Sequence, residues 1–512
     1  MSNAVDPTGE LSPEQLEQAA KLKKQLSNQF WRLNNLYTIR DKEGQAITFK
    51  MNGPQRDLYL KQWYMNVILK ARQLGFTTFI DLLILDTCLW NPNIKAGIIA
   101  HHKDDANAIY EEKVIFPFKN MSSIHRSLHT ATTDRAGEIV FSNGSSIRVS
   151  TSFRSGTLQI LHVSELGKIA AKYPEKAKEI RTGAFEAVGT GQKIFVESTA
   201  EGREGEIYDM AMKAKKAKDA GSTLSKLDFR FHFYPWHENP QYVLDTAGVL
   251  FTMDDQRYFK ELELRNIYLS AEQCAWWIKK HETLGEEMYR EHPSYPEEAF
   301  KASVEGSYYG TIITKIRRMG RIGKVPYERG YPVNTSWDLG ISDTMTIWFF
   351  QQVARERRVI DYMEGSGEGL SEYIRMLHEK EYTYGTHYLP HDANVRELGT
   401  GVKRVDTARE LGLNPIVVVP RPKNNDQLHD QIDQTRNFIE GSWFDEEKCD
   451  TGIIALENYR KEWNDKLGCF NKQPLHNWAS HPADGLRTGA VGFLVGHNHR
   501  AQGMMPEETS DF

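Results

Sequence analysis

Residues 70–77, Lys-Ala-Arg-Gln-Leu-Gly-Phe-Thr, have the types and the spacing to hold a phosphate. An apolar run, 65–69, precedes them. The segment that follows places Ile80, Leu83, Ile84 and Cys88 on one face of a helix. Strand, tight loop and helix are the context a phosphate-binding loop needs. A helix start directs unpaired N–H groups and a positive dipole end at the loop, which favours an anion. Thr77 would open that helix with a hydroxyl placed for Mg²⁺. Against the pattern G-x-x-x-x-G-K-[ST], Gly75 and Thr77 keep the second glycine and the hydroxyl. Phe76 stands at the lysine position and Lys70 at the first glycine. The phosphate charge must then be met by Lys70 or Arg72, with Gln73, Leu74, Gly75, Phe76, Thr77 and Thr78 completing the candidate ATP-binding set. Gln55 follows the turn signal Asn52-Gly53-Pro54 and opens a helix. In ATP-driven motors a glutamine here reads the adenine edge; taken alone it reads as a surface side chain.

Two strand ends downstream carry complementary chemistry. The apolar run 160–163 leads into Ser164-Glu165. Such a strand ordinarily ends in two acids, the first holding Mg²⁺ and the second orienting the attacking water. Ser164 weakens the first role, and Glu165 keeps the second; the bland alternative for Glu165 is a solvated strand-end carboxylate. His162 reads as a packed core histidine. The next strand, 193–197, continues as Ser198-Thr199-Ala200, small residues able to sense the γ-phosphate and relay its loss.

A third group is acidic: Asp338, Asp392 and Asp484. Asp338 lies on a strand-like run, 331–339, followed by two more at 344–353 and 358–363. Asp392 stands just past a fourth strand, 386–389, and Asp484 opens a last helix. Helices at 370–381 and 405–411 and a strand at 415–419 complete the order three strands, helix, strand, helix, strand. That is the order of a ribonuclease H-like fold. Clustered carboxylates there can hold two Mg²⁺ or Mn²⁺ ions, which activate water and stabilise the leaving oxygen in phosphodiester cleavage. Asp343 and Glu364 are weaker candidates, and His481 is placed to orient Asp484 or the water.

The elements that must position these groups fit an α/β chain. With 512 residues, it is too long for one core. Its 64 Lys and Arg against 69 Asp and Glu exclude a uniformly basic nucleic-acid coat but not local basic patches. Cys88, Cys274, Cys449 and Cys469 lack metal spacing, and a reducing compartment fits them. No signal peptide and no run of transmembrane length is seen. Ser12-Pro13-Glu14-Gln15 is a capping-box helix start. Between 96 and 197, strands and helices alternate around an Asn143-Gly144 hairpin, which argues for a mainly parallel sheet. The lysines of 210–219 read as a solvated face, and Trp276 and Trp277 as packing. The basic stretch 315–324 reads as a domain boundary that could also touch DNA phosphates.

In this order, the loop KARQLGFTT, the strand LHVSE and the segment ESTAEG resemble the large terminase subunit of tailed bacteriophages. The segment YPEEAF (295–300) and the acidic pattern of the second domain extend the resemblance to roughly 47–494. It implies an N-terminal P-loop ATPase domain (46–240) with a mainly parallel sheet, after a helical arm (1–45). A lid or linker (241–324), a C-terminal ribonuclease H-like nuclease domain (325–495) and a tail (496–512) follow. The resemblance implies ATP-driven translocation of double-stranded DNA into a procapsid and metal-dependent cutting of concatemers. ATP and Mg²⁺ (or Mn²⁺) are then the cofactors. Double-stranded DNA, the portal protein and the small terminase subunit are the partners. A homo-oligomeric ring forms on the portal, although a monomer in isolation is compatible. The setting is the cytoplasm of the infected host, without membrane and outside the mature virion. Glu165, Asp338, Asp392 and Asp484 are then catalytic, Ser198, Thr199 and Ala200 couple hydrolysis to movement, and Arg72 is the first choice for the cis-acting arginine, before Arg154 and Arg203. A helicase–nuclease of DNA repair is the alternative, disfavoured because no second motor domain or helicase motif set is found. A structural nucleic-acid-binding protein is disfavoured by the balanced charge and the paired acidic sites.

Overall fold

The computed structural model describes residues 12–153, 156–202, 205–285, 287–301, 306–340, 344–396, 401–464, 467 and 469–501. Arg154, Arg203 and Asp343 lie outside them. The chain forms two compact units, Met1–Glu201 with Gly205–Ala299, and Gly202–Glu204 with Phe300–Phe512. The range expected as a lid or linker, 241–324, is thus divided at residue 299/300.

The first unit is built on a sheet of eight strands: β1 (Met65–Lys70), β2 (Lys95–Ile99), β3 (Ala131–Arg135), β4 (Glu138–Phe141), β5 (Ser146–Ser150), β6 (Leu158–Ser164), β7 (Val188–Ser198) and β8 (Phe229–Tyr234). Their order is β8-β1-β7-β6-β2-β5-β4-β3. Neighbours from β8 to β5 are parallel, and β5-β4 and β4-β3 are antiparallel. The central strands are buried along most of their length, as parallel strands covered on both faces must be. The phosphate-loop strand β1 lies between β7 and β8, beside the strand that carries Glu197. β8 does not emerge from an apolar-run reading because Arg230 and His232 interrupt it; its signal is the period-two repeat Phe229, Phe231, Phe233.

The helix after the loop, Phe76–Trp90, buries Phe79, Ile80, Leu83 and Ile84, each worth about 1.5–3 kcal/mol when fully removed from water. It also buries two aspartates. Asp86 accepts from Arg32 Nη2 at 2.7 Å, Arg32 Nε at 2.9 Å and Tyr37 Oη at 2.7 Å. Those bonds fasten the N-terminal segment, whose first helix Pro13–Ser27 has the expected Ser12–Gln15 capping box. Two expected helices differ in detail. The helix over 104–118 is three segments with a π-helical turn at Tyr110–Ile115, and the one over 174–188 ends at Ala184, because β7 starts at Val188.

The second unit is built on seven strands: β9 (Ile322–Gly323), β10 (Val333–Asp338), β11 (Met345–Val353), β12 (Glu356–Gly365), β13 (Tyr384–Pro390), β14 (Ile416–Val419) and β15 (Ser442–Asp445), in the order β9-β15-β12-β11-β10-β13-β14. β10, β11 and β12 form antiparallel pairs, and β13 and β14 run parallel to β10. This third-second-first-fourth-fifth order is the ribonuclease H-like arrangement. The helix Ser480–Ala501 lies against this sheet with Gly485, Gly489 and Gly492 at the contact: a Cβ on Gly485 would meet Thr346 Oγ1 at 2.6 Å, one on Gly489 would strike Ser336, and one on Gly492 would strike Tyr388. The region between 420 and 480, which lacks a clear sequence pattern, supplies two helices (Asn425–Glu440, Asp450–Asn458), β15 and a two-stranded hairpin. The basic helix Gly310–Arg318 packs Ile313 and Ile316 into the core of this unit, and its charges are paired: Lys315 with Glu440, and Arg317 with Glu446 and Glu457. Among the described residues, no helix is long and apolar enough to cross a membrane.

Candidate functional site

β1 ends in Lys70 and the loop helix begins at Phe76, with Gly75 as its N-cap in the left-handed region at φ 74°. The first helical turn has no internal acceptor for its N–H groups, and Gly75 brings no side-chain cap. The loop therefore presents a cradle of donors to an anion. Phe76, at the usual lysine position, is buried against Tyr234 with ring centroids 4.6 Å apart. The cation comes from the strand instead. Lys70 Nζ lies 3.0 Å from Glu165 Oε1 and 3.1 Å from Glu197 Oε2. Burial pulls the Lys70 pKa down, but the Glu165 and Glu197 charges outweigh it and hold the ammonium above its ordinary range.

Glu197 is the hub of this site. It pairs with Ser164 of β6 one residue before the end of β7, and side chains two residues apart share a sheet face. Thr77 Oγ1 donates to Glu197 Oε1 at 2.6 Å, and Ser164 Oγ donates to the same oxygen at 2.9 Å. Behind it, His162 Nε2 lies 3.7 Å away, and His162 Nδ1 lies 2.7 Å from Asp81 Oδ1. Burial alone would raise the Glu197 carboxyl; Lys70, His162 and Thr77 hold it far below the carboxylate range. Burial lowers the His162 imidazole, but Asp81 and Glu197 lift it to about 9. His162 thus sits in the core, as expected, and also carries charge toward the site. In sequence Glu197 reads only as the lead-in to Ser198; its signals are a carboxylate near the end of an apolar strand and Asp81, four residues past Thr77 in an apolar helix.

Glu165 stands at φ 55°, a left-handed conformation costly for a side chain with a Cβ. It caps the helix Leu166–Lys172 and receives Thr199 Oγ1 at 3.4 Å. Ser198 Oγ accepts from Gly167 N at 2.9 Å, and Ala200 is buried. The Ser198–Ala200 segment is therefore tied to both Glu165 and the helix that it caps. Gln55 is buried and used locally: its Oε1 accepts from Asn52 N at 3.0 Å, while Nε2 donates to Gly75 O at 2.9 Å and Leu74 O at 3.3 Å. It braces the loop. Arg72 Nη1 pairs with Glu291 Oε2 at 3.1 Å, and its main chain is held by Glu291 and Tyr242. Arg72 and Gln73, which has φ 60°, line a cleft of about 430 Å³ with Tyr242 and Trp276. Lys70, Thr77, Glu165, Ser198 and Thr199 thus converge; Arg72 turns toward Glu291. Thr77 and Glu197 are hard oxygen donors that suit a Mg²⁺ ion.

In the second unit, Asp338 Oδ2 lies 2.8 Å from His481 Nδ1. The close approach of the last helix sets this pair, since Gly485 faces the Asp338 backbone. Asp484 and Asp392 line one cleft of about 450 Å³ with His391, Arg421, His476 and Arg487. Asp484 Oδ1 is buried without a hydrogen bond, 3.1 Å from Arg487 Nη1. Desolvation and then the Asp338 charge push the Asp484 carboxyl up, against the pull of Arg487. Asp392 is exposed and pairs with His391 at 2.8 Å. Glu364 shares a cross-strand row with Asp338 through Thr346 and accepts from Tyr362 Oη at 2.6 Å. The buried Asp484 carboxylate, raised by burial and then the Asp338 charge and balanced by Arg487, fits a divalent cation with oxygen ligands. The cleft's arginines suit a polyanion beside it.

Several solved structures match the chain at low identity. The chain is similar to phage large terminases. The large terminase of bacteriophage HK97 is 11% identical over 92% of this chain and 98% of that one, with a TM-score of 0.40. That of the thermophilic bacteriophage D6E is 11% identical over 87% of this chain and 100% of that one, at 0.31. The large terminase nuclease of thermophilic phage G20c with bound cobalt is 14% identical over 37% of this chain and 98% of that one, at 0.28. No family model and no curated protein matches the chain. So low a likeness decides nothing about chemistry, which rests on the side chains above.

Proposed function

We propose that this chain is a large terminase, a phage DNA-packaging motor: an ATPase in the first unit and a metal-dependent DNA endonuclease in the second. One observation carries the reading. A lysine from the strand side of a phosphate loop is held between a strand-end glutamate and the acid beside the loop hydroxyl. Lys70 would leave the two carboxylates for the phosphates when a nucleotide enters the cradle of N–H groups after Gly75. Glu165, freed of Lys70 and still held by its backbone, would orient the attacking water. Thr77 would offer its hydroxyl to Mg²⁺, which shields phosphate charge when bound. Loss of the γ-phosphate would reach Ser198 and Thr199 through Glu165 and the helix that it caps. In the second unit, Asp338, Asp392 and Asp484 would hold Mg²⁺ or Mn²⁺, which supplies an activated water, and His481 would fix the Asp338 carboxylate. The partners follow from this reading: double-stranded DNA, the portal, the small terminase subunit and further copies in a ring, in the cytoplasm of an infected cell. The test is DNA-stimulated ATP hydrolysis and Mn²⁺-dependent plasmid nicking, then packaging into procapsids that bear a portal. Activity in all three is expected. Strand unwinding without packaging would favour a helicase–nuclease, and the absence of every activity would leave a binding module.

A further inference from the structure

In a phosphate-loop ATPase, the acid that holds the nucleotide's metal ends the strand on which this chain has Ser164. A serine hydroxyl brings no charge to that place. We propose that Glu197, one residue before the end of the neighbouring strand β7, holds the Mg²⁺ of the bound nucleotide in place of the carboxylate that Ser164 lacks. This deepens the ATPase reading and rests on it.

The contacts divide the labour between the two glutamates. Glu197 Oε1 and Thr77 Oγ1 are 2.6 Å apart. Adjacent oxygens around an octahedral Mg²⁺ at 2.0–2.1 Å lie about 2.9 Å apart. The loop hydroxyl and the carboxylate can therefore share one ion after a shift of a few tenths of an ångström. Ser164 donates its hydroxyl to the same Glu197 oxygen, so it orients the acid rather than replacing it. Glu165, by contrast, has a partly exposed side chain and receives Thr199, a placement suited to water.

The charges point the same way. Glu197 is fully buried, and a buried carboxylate without a cation is costly. Two cationic partners face it, Lys70 and His162, and His162 is already engaged by Asp81. Lys70 serves Glu165 as well. Once Lys70 turns to a phosphate, Glu197 needs another cation at the end where Thr77 stands. A divalent ion entering with the nucleotide meets that need.

The experiment compares the affinity of the full chain for fluorescent ADP in Mg²⁺ and in EDTA. The readout is nucleotide, so metal held by the second unit does not enter it. The parental protein should bind more tightly with Mg²⁺. In E197Q the ratio of Mg²⁺ to EDTA affinity should fall by about tenfold or more, whatever its affinity in EDTA. S164D in the E197Q background should regain it, because the carboxylate returns to the adjacent strand. If E197Q does not fold, E197D is read instead: it keeps the charge but withdraws the oxygens by one methylene, and the same loss is expected. A full Mg²⁺ gain in the glutamate variant overturns the assignment of Glu197 alone. A parental protein that binds no ADP in either condition overturns the ATPase reading, and this inference with it.

Discussion

Lys70 serves two carboxylates at once, and its neighbours show what each would do without it. Glu165 keeps its place through its backbone, with N donating to Glu197 O at 2.8 Å. Glu165→Gln should therefore leave the loop intact. It should slow ATP hydrolysis by about 100-fold or more, while fluorescent-ATP affinity stays near the parental value. Hydrolysis at the parental rate would remove Glu165 as the base. Lys70→Ala is a different lesion. It leaves Glu197 buried without its nearer cation, and breaking a buried pair costs about 3–5 kcal/mol. Denaturant unfolding without nucleotide should show this loss, and nucleotide affinity should fall as well. Unchanged stability would mean that His162 alone balances Glu197.

The second candidate site depends on how closely one helix approaches one sheet. The helix Ser480–Ala501 carries Asp484, and β10 carries Asp338. Gly489, about one and a half turns past Asp484, rests on Ser336 of β10, where a Cβ would clash. Gly489→Ala should push helix and strand apart, with an overpacking cost of about 1–3 kcal/mol. Plasmid nicking should fall sharply while ATP hydrolysis persists, because the lesion lies in the other unit. Equal loss of both activities in a folded variant would show that the sites are not independent at this level.

Across the whole molecule, the proposed reading gives two cores two chemistries, and they should separate. Asp338→Ala should abolish DNA cleavage and spare ATPase. Mn²⁺ should raise the unfolding temperature of the full chain by binding its folded state, and Asp484→Asn should shrink that rise; an equal rise in both proteins would place the metal elsewhere. Acid should act through buried histidine. Desolvation holds His387, beside Thr335 in the second sheet, at about 4, below its ordinary value of about 6.5. A depressed folded-state pKa gives stability that is complete above the unfolded value and is lost as pH falls through the folded one. Between roughly pH 6.5 and 4 this group should cost about 3 kcal/mol, at about 1.4 kcal/mol per pH unit. Urea unfolding at a series of pH values should show the slope, and His387→Gln should flatten it. An unchanged slope would assign the acid sensitivity to other groups.

Local pattern was enough for the phosphate loop, the strand-loop-helix unit, the Asn143-Gly144 hairpin and the strand order of 331–419. Each of these rests on hydrophobic period or turn chemistry within a dozen residues. The element-end positions of Asp338, Asp392 and Asp484 follow from the same local pattern. Glu197 was not legible as the hub, because its role comes from Ser164, Thr77, Lys70 and His162, which other strands and a helix deliver. Nor could the sequence show Arg72 bound to Glu291, 219 positions away, or Gln55 spent on bracing the loop. The sequence by itself determined the strongly patterned elements and the residues near their ends, because propensity and period are short-range. Only the tertiary structure decided which charges neutralise one another, because Coulomb and hydrogen-bond partners are chosen by distance in space after strands far apart in the chain have paired.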